Sequence, residues 1–336
     1  MLRTLKRSSA SLTNRLPAFL NDEKRAKVLV SSSRCIYRNL ALEQWLYENA
    51  TFSPGSPGIL LMWWNGPAVV IGRHQNPWVE CSLNAVAKFG VTLARRNSGG
   101  GTVYHDTISG TAAKIGHQKA YHHCTILVDV NTTILHQVLG GRCSNIESKA
   151  TSSVRASVKN LKELCPHLTI ETLSASLAAR FNSQHQEHAT KTRSDNCIHL
   201  INPSEDHFPG INAMCEKLHC WDWIFGCTPR FTIRGSFPTP TSCTGVLDLG
   251  DALGRNEVLK VELKCYHGQI EDVRLVPTLR RHGLLQAVMD EICGTRFVQS
   301  EIAEVFRRIK DSDPENSAFI EYLSRCLLTL VGNAQM

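Results

Sequence analysis

The sequence predicts an α/β chain, in the α+β sense of mixed or antiparallel sheets with flanking helices, organised as two domains. Three observations carry this. Apolar runs of strand length stand at 58–64, 68–71, 91–95, 120–128, 258–265 and 269–276, most of them bounded by Gly, Pro, Asn or Asp. Between them lie stretches whose apolar residues recur at helical spacing, at 36–49, 82–89, 169–181, 284–292 and 301–309. The 336 residues suit two cores, and the character of the chain changes from Trp221. We therefore expect a larger domain over 29–220 and a small accessory α/β domain over 221–336.

Helix 36–49 opens on Ile36-Tyr37-Arg38-Asn39-Leu40, with Asn39 expected as its N-cap and the pairs Leu42/Leu46 and Ala41/Trp45 at i,i+4. The Ser/Pro/Gly run 51–57 is a loop. Residues 58–64 read as a buried strand, Asn65-Gly66 as a tight hairpin turn, and 68–71 as the returning strand. The loop 72–78, Gly-Arg-His-Gln-Asn-Pro-Trp, leaves that strand. Residues 82–89 fit a short helix closed by Gly90, and 91–95 a third strand. After the strand at 120–128 come loops with short helices over 131–166. Helix 169–181 carries Leu173, Leu177 and Phe181 on one stripe, and the His-rich interval 182–196 reads as a loop. In the C-terminal part, Phe231-Thr-Ile and the two runs joined around His267-Gly268 predict a small sheet with helices 284–292 and 301–309 beside it.

Composition narrows the function classes. No apolar run reaches the roughly 20 residues that span a bilayer, so a soluble chain without a membrane partner is expected. The formal charge is +7, from 37 basic and 30 acidic residues. It is concentrated in residues 1–28, where Arg3, Lys6, Arg7, Arg15, Lys24, Arg25 and Lys27 face only Asp22 and Glu23, which leaves +2 for the other 308 residues. That remainder has no basic stripe interleaved with aromatics, so nucleic acid is not an expected partner. A cationic, hydroxyl-rich start with leucines at 2, 5, 12 and 16 has the pattern of a mitochondrial transit peptide, expected over 1–28, and points to the matrix. The thirteen cysteines are odd in number and scattered, with no CxxC pair, and most are expected to be small buried apolar side chains. The fourteen histidines form no HExxH. Neither residue type suggests a metal site.

The most specific element is Arg95-Arg96-Asn97-Ser98-Gly99-Gly100-Gly101. Three glycines let a backbone approach a ligand closely and expose N–H groups, which suits an anionic phosphate. The two arginines before them would pair with phosphate oxygens. The run is neither a P-loop nor a GxGxxG fingerprint, and a loose hairpin with surface arginines is the plain alternative.

The surrounding words decide between these. Ile71-Gly-Arg-His-Gln-Asn-Pro-Trp78, the Arg-Arg-x-Ser-Gly-Gly-Gly-Thr-Val-Tyr-His-Asp run ending at Asp106, and Ile108-Ser-Gly-Thr-Ala followed by Tyr121-His-His-Cys-Thr-Ile-Leu resemble the lipoate–protein ligases and, best, the mitochondrial lipoyltransferases. Asn39-Leu-Ala-Leu-Glu-Gln-Trp and Leu200-Ile-Asn-Pro with Phe208-Pro-Gly-Ile-Asn resemble further words of the same family. Biotin ligases are the nearer rival, but the His-Gln-Asn-Pro-Trp word and the leader favour the lipoyl branch. The resemblance implies a biotin/lipoate-ligase-type catalytic domain followed by an accessory domain. It implies protein lipoylation: lipoyl-AMP, a mixed anhydride, passes its acyl group to a lysine of the lipoyl domains of 2-oxoacid dehydrogenase acyltransferase subunits. Glycine-cleavage H protein would serve as donor or partner. No metal is expected for the transfer step, and activation of lipoate with ATP and Mg²⁺ stays open.

By this resemblance Arg73, Arg96, Ser98, Gly99, Gly100 and Gly101 would hold the adenylate, Tyr104 and Thr125 would touch it, and the segment 151–156, with Val154 and Ala156, would close over its adenosine side. Val69, Val70 and Leu93 would line an alkyl slot or simply fill the core. His105 or His123 would accept the amine proton or stand as an ordinary hydrogen-bonded side chain. The chain departs from the family at one place. Where the family has a long stretch ending in a lysine, His105-Asp106 is followed by Thr107 and then at once by Ile108-Ser109-Gly110. On the order of fifty residues are expected to be missing there, enough for several strands of about 5–6 residues. Thr107 stands in the lysine's place, so no residue is assigned as catalytic. Lys114 and Lys119 are the nearby cations.

Overall fold

The structure is a computed structural model; it describes residues 17, 20, 26–52, 55–105, 111–116, 119–140, 145–154, 158–185, 198–240, 258–276 and 282–335. In chain order these form β1 (Lys27–Ser31), α1 (Ile36–Asn49), β2 (Ile59–Met62), β3 (Ala68–Ile71), α2 (Pro77–Glu80), α3 (Leu83–Lys88), β4 (Thr92–Arg95), β5 (Val103–His105), β6 (Thr111–Ile115) and β7 (Ala120–Cys124). There follow α4 (Thr132–Leu139), β8 (Ile146–Ser148), α5 (Leu161–Leu164), α6 (Ile170–His185), β9 (Ile198–Ile201), α7 (Ile211–His219) and α8 (Trp221–Ile224). Last come β10 (Phe231–Pro238), β11 (Val258–Tyr266), β12 (Gln269–Val276), α9 (His282–Ile292), α10 (Gln299–Ser312) and α11 (Ser317–Gln335). The α/β class with several small mixed and antiparallel sheets is as expected. Among the described residues no helix is long and apolar enough to cross a membrane.

The elements gather in two compact units, Met1–Trp64 with Ile170–Cys215, and Asn65–Thr169 with Glu216–Met336. The expected domains, 29–220 and 221–336, are a different division of the chain.

In the first unit a parallel sheet runs in the order β2-β1-β9, with Val28 opposite Leu60 on one side and Ile198 on the other. All five residues of β1 are buried, because the central strand has a neighbour along both edges. This corrects the expected end of the leader: Lys27 and Val28 belong to the central strand, while residues 1–16 lie outside the described part. Helix α1 buries Leu40, Leu42, Trp45 and Leu46, and Trp45 is pinned by Nε1 donating to the Pro209 carbonyl at 2.9 Å and by an edge contact with Phe208 at 5.0 Å. Its N-cap is Cys35, not Asn39. Asn39 is buried inside the first turn, accepting from Ser31 Oγ at 2.7 Å and donating to the Ser33 carbonyl at 2.9 Å. Its amide therefore fastens the strand-to-helix connection instead of the helix end.

In the second unit β3 is the middle of a three-stranded sheet, parallel to β4 and antiparallel to β5, and all four of its residues are buried. Since β2 pairs with β1 and β3 with β4 and β5, the hairpin expected at Asn65-Gly66 does not form. Strands β6 and β7 form a two-stranded antiparallel sheet. The four-stranded antiparallel sheet β12-β11-β10-β8 alternates buried and exposed along β11. Its apolar face, with Ile233, Leu259, Val261 and Leu263, packs on Val288, Phe306, Leu323 and Leu327 from α9, α10 and α11. Strand β8 comes from the segment expected to hold only loops and short helices; it is three residues long, too short for a period-2 pattern to register. Trp78, held in the one-turn helix α2 by the Asn76 cap, reaches into this core beside Phe225, Phe231 and Phe297 at 5.2, 5.3 and 5.3 Å.

The cysteines differ from expectation. Among those described, Cys81, Cys265 and Cys326 are buried, while Cys35, Cys124, Cys165 and Cys220 are exposed. Burial pushes the Cys81 thiol up to about 12, with the neighbouring Glu80 adding to it, so it packs as an apolar group.

Candidate functional site

Parallel neighbours release their following loops at the same sheet edge, and β3 and β4 do so here. The loop after β3 begins at Gly72 and the loop after β4 at Arg96. They are stitched together by Arg96 N–H donating to the Ile71 carbonyl at 3.0 Å and Arg73 N–H to the Ser98 carbonyl at 2.9 Å. They touch most closely at two glycines: a Cβ on Gly72 would stand 2.1 Å from the Gly100 carbonyl oxygen. Gly100 itself has φ +85°, the left-handed region that glycine adopts without strain. Gly72 is thus demanded by the close approach and Gly100 by its own backbone angle.

The two arginines at the end of β4 do not reach outward. Arg95 is 0% exposed. Its Nη1 donates to the carbonyls of Gly72, Arg73 and Gln75 at 3.2, 3.0 and 2.8 Å. Its Nε and Nη2 donate to the Ile224 carbonyl at 2.8 and 2.6 Å, and Nη2 also to Thr228 Oγ1 at 3.1 Å. Burial pulls its pKa down to about 10, which keeps it charged at neutral pH. Arg96 is equally buried and clasps its own loop, donating to the carbonyls of Val70 at 3.0 Å, Gly99 at 2.6 Å and Gly101 at 2.7 Å, and through Nε to Ser98 Oγ at 3.1 Å. Both side chains, expected on phosphate oxygens, here shape the loops from behind.

That clasp has a consequence for the glycines. Arg96 holds the carbonyls of Gly99 and Gly101, whereas the N–H groups of Gly99, Gly100 and Gly101 donate to no acceptor among the described residues. A run of backbone donors without an acceptor among the described residues is what an anion-binding nest requires. Arg73 lies beside it with its guanidinium 4.2 Å over the Trp223 ring and no ion pair or hydrogen bond from its side chain among the described residues.

A polar network closes the loop on a third side. Gln75 Oε1 accepts from Gly72 N–H at 2.7 Å and Thr102 Oγ1 at 2.9 Å, and its Nε2 donates to Ser153 Oγ at 3.0 Å. Ser153 Oγ also accepts from Thr102 N–H at 2.8 Å and donates to Glu80. The Thr151 N–H donates to the His74 carbonyl at 3.2 Å. The segment expected to close over the ligand therefore does meet the glycine loop, through Thr151 and Ser153. Val154, by contrast, is 93% exposed, and Ala156 lies outside the described residues. Ser153 belongs to the expected segment 151–156, whereas Gln75 and Glu80 carry no signal in the sequence, because scattered single polar residues leave no pattern.

Ser98 is buried with its Oγ 3.2 Å from His123 Nε2, which brings β7 to the loop. Thr125, half-buried, follows two residues later. Tyr104 is buried on β5 opposite Val69. Val69, Val70 and Leu93 are buried sheet residues, with Val69 and Leu93 paired across β3 and β4. The His105 side chain and Thr107 fall outside the described part. Among the described residues no group of three or more His, Cys, Asp or Glu is placed to hold a metal.

The lipoyl protein ligase A/B catalytic domain family matches the chain in two pieces, 35–107 and 107–182, which meet at Thr107. The chain is 39% identical to human lipoyl amidotransferase LIPT1, mitochondrial, over 271 aligned positions that take in 65% of this chain and 70% of that protein. It is 27% identical to lipoate-protein ligase A of Psychrobacter cryohalolentis over 352 positions, 90% of this chain and 98% of that protein. Since 65% of 336 residues is about 218, about fifty of the 271 positions shared with the human protein have no residue here. The Psychrobacter figures give the same shortfall, since 90% of 336 is about 302 against 352. Among solved structures, P. falciparum LipL1 in complex with lipoate has a similar fold, with TM-score 0.51 and 21% identity over 90% of this chain and 99% of that one.

Proposed function

Because the chain belongs to the lipoyl amidotransferase and lipoate–protein ligase family, we propose that it acts in protein lipoylation, holding lipoyl-AMP on the glycine loop and passing the lipoyl group to a protein lysine. The single observation that carries the binding step is the nest: three unoccupied glycine N–H groups beside an Arg73 with no acidic partner among the described residues. The adenylate phosphate supplies the missing negative charge. Arg95 and Arg96 serve as the frame of the nest. Thr151 and Ser153 cover its side, with Val154 and Ala156 continuing over the adenosine, and Tyr104 and Thr125 border the ligand.

In the transfer step the neutral amine of the acceptor lysine attacks the acyl carbonyl carbon. An amide C–N bond forms, the C–O bond to the phosphate breaks, AMP leaves with the electron pair, and the amine gives up one proton. The free amine has a pKa of about 10.4, so a proton acceptor and close positioning matter. His123, already within reach of Ser98, takes that proton. The acceptors are lipoyl domains of 2-oxoacid dehydrogenase acyltransferase subunits, with glycine-cleavage H protein as the alternative donor. The cationic N-terminal leader directs the chain to the mitochondrial matrix, in keeping with the mitochondrial relatives.

A second reading is favoured by the two family pieces that meet at Thr107 and by the fifty unmatched positions. We place the missing stretch after Asp106, so the chain lacks the lysine that the family sets before Ile-Ser-Gly. Losing a charge aimed at the reacting carbonyl slows acyl transfer by about 10²–10³-fold. On this reading the chain binds lipoyl-AMP but modifies acceptors poorly. Intact-mass measurement of an apo lipoyl domain incubated with the protein and lipoyl-AMP tests both. One added lipoyl group on one lysine supports transfer, adenylate retention without modification selects the second reading, and neither outcome would contradict both.

A further inference from the structure

Arg73 sits at an unusual junction. Its N–H donates to the Ser98 carbonyl at 2.9 Å and its carbonyl accepts from Arg95 at 3.0 Å, so its main chain is fixed on both sides. Its side chain rests on Trp223, with the guanidinium carbon 4.2 Å from the ring centroid. Trp223 is fastened in turn: it is 7% exposed, and its Nε1 donates to the Arg95 carbonyl at 2.8 Å. Arg95 reaches back to the Ile224 carbonyl and Thr228 Oγ1. Arg95 at the end of β4 and Trp223, Ile224 and Thr228 of the α8 corner, some 130 positions apart in sequence, therefore lock each other.

A guanidinium can be oriented in two ways. A carboxylate partner occupies its in-plane donors and neutralises it. An aromatic face restrains the same group while leaving every in-plane N–H available and the charge intact. Arg73 is held the second way. Lys217 lies 5.4 Å from the same ring, so the corner gathers cations around one aromatic platform.

We propose that Trp223 is the positioning residue that aims Arg73 at the adenylate phosphate. The proposal rests on the lipoyl-AMP reading above. It gives the α8 corner, expected to belong to an accessory domain, a direct part in ligand binding.

The test is a double-mutant cycle read by equilibrium binding of a hydrolysis-resistant lipoyl-AMP analogue, with uncharged lipoamide as the control ligand. Trp223→Leu is expected to weaken the analogue about three- to tenfold and to leave lipoamide unchanged, and Trp223→Phe, which keeps a ring, to stay within about twofold of the parent. In an Arg73→Met background, Trp223→Leu should have almost no further effect. Equal weakening in both backgrounds, or a Phe variant as poor as Leu, would overturn the proposal. A parent protein that binds no adenylate would instead sink the lipoyl-AMP reading. Positioning is then judged by the Arg73 side-chain proton shifts, upfield in the parent and the Phe variant and unshifted in the Leu variant. Unshifted resonances in the parent would overturn the stacking itself.

Discussion

Gly72 shows how a single residue type can be dictated by contact. A methyl there would stand 2.1 Å from the Gly100 carbonyl oxygen, which is backbone and has no rotamer to yield. Gly72→Ala is therefore expected to push the two loops apart, cost about 1–3 kcal/mol of stability, and weaken adenylate binding at least tenfold. Denaturant unfolding and ligand titration on the same variant check both parts. Arg95 offers a second case. Arg95→Met removes the guanidinium donors from the buried carbonyls of Gly72, Gln75 and Ile224, and among the described residues Gly72 keeps only the Gln75 N–H. A loss of about 3 kcal/mol or more is expected, and Arg95→Lys should recover little, because three ammonium donors do not match acceptors spread on two sides of a planar fork. Full recovery by Lys in a thermal melt would show that charge alone matters there.

Elements with an apolar run or period were readable, the four-residue β3 and β4 included, and the three-residue β8 was not. Helix α1 spans the residues that its i,i+4 pairs marked, and β11 and β12 flank His267-Gly268 as their runs predicted. What escaped was context. Strand β1 looked like the tail of a basic leader, because Lys27 is charged and nothing local records that two strands will pair with it. The three-residue β8 has no period to read, and Asn65-Gly66 carries a hairpin signal that the pairing of β2 with β1 overrides. In the site the glycine run and Arg73 were legible as words. The inward turn of Arg95 and Arg96 was not, since a sequence does not say which way a guanidinium faces. Trp78 makes the cost of context measurable: Trp78→Ala should destabilise the second unit by about 3–5 kcal/mol, by emptying the space among Phe225, Phe231 and Phe297. Calorimetry that finds less than 1 kcal/mol would mean that α2 is not anchored by that ring.

At the scale of the whole molecule two segments bear on function. The expected leader, 1–28, reaches into β1, so a chain starting at Leu29 should lose stability, because Lys27 and Val28 are gone from the central strand; thermal melts of this chain and the full one check it. The second segment is the stretch that we propose is missing beside Thr107. The loops after β3 and β4 meet without it, and among the described residues the contacts that shape them come from 70–102, His123, 151–153 and 223–228. Holding the adenylate is therefore separable from using it. Isothermal titration of the intact protein with a hydrolysis-resistant lipoyl-AMP analogue tests that separation most directly. One bound equivalent per chain is predicted, weakened at least tenfold by Gly72→Ala and again by Arg73→Met. Absence of binding, or binding that both substitutions leave unchanged, would contradict it.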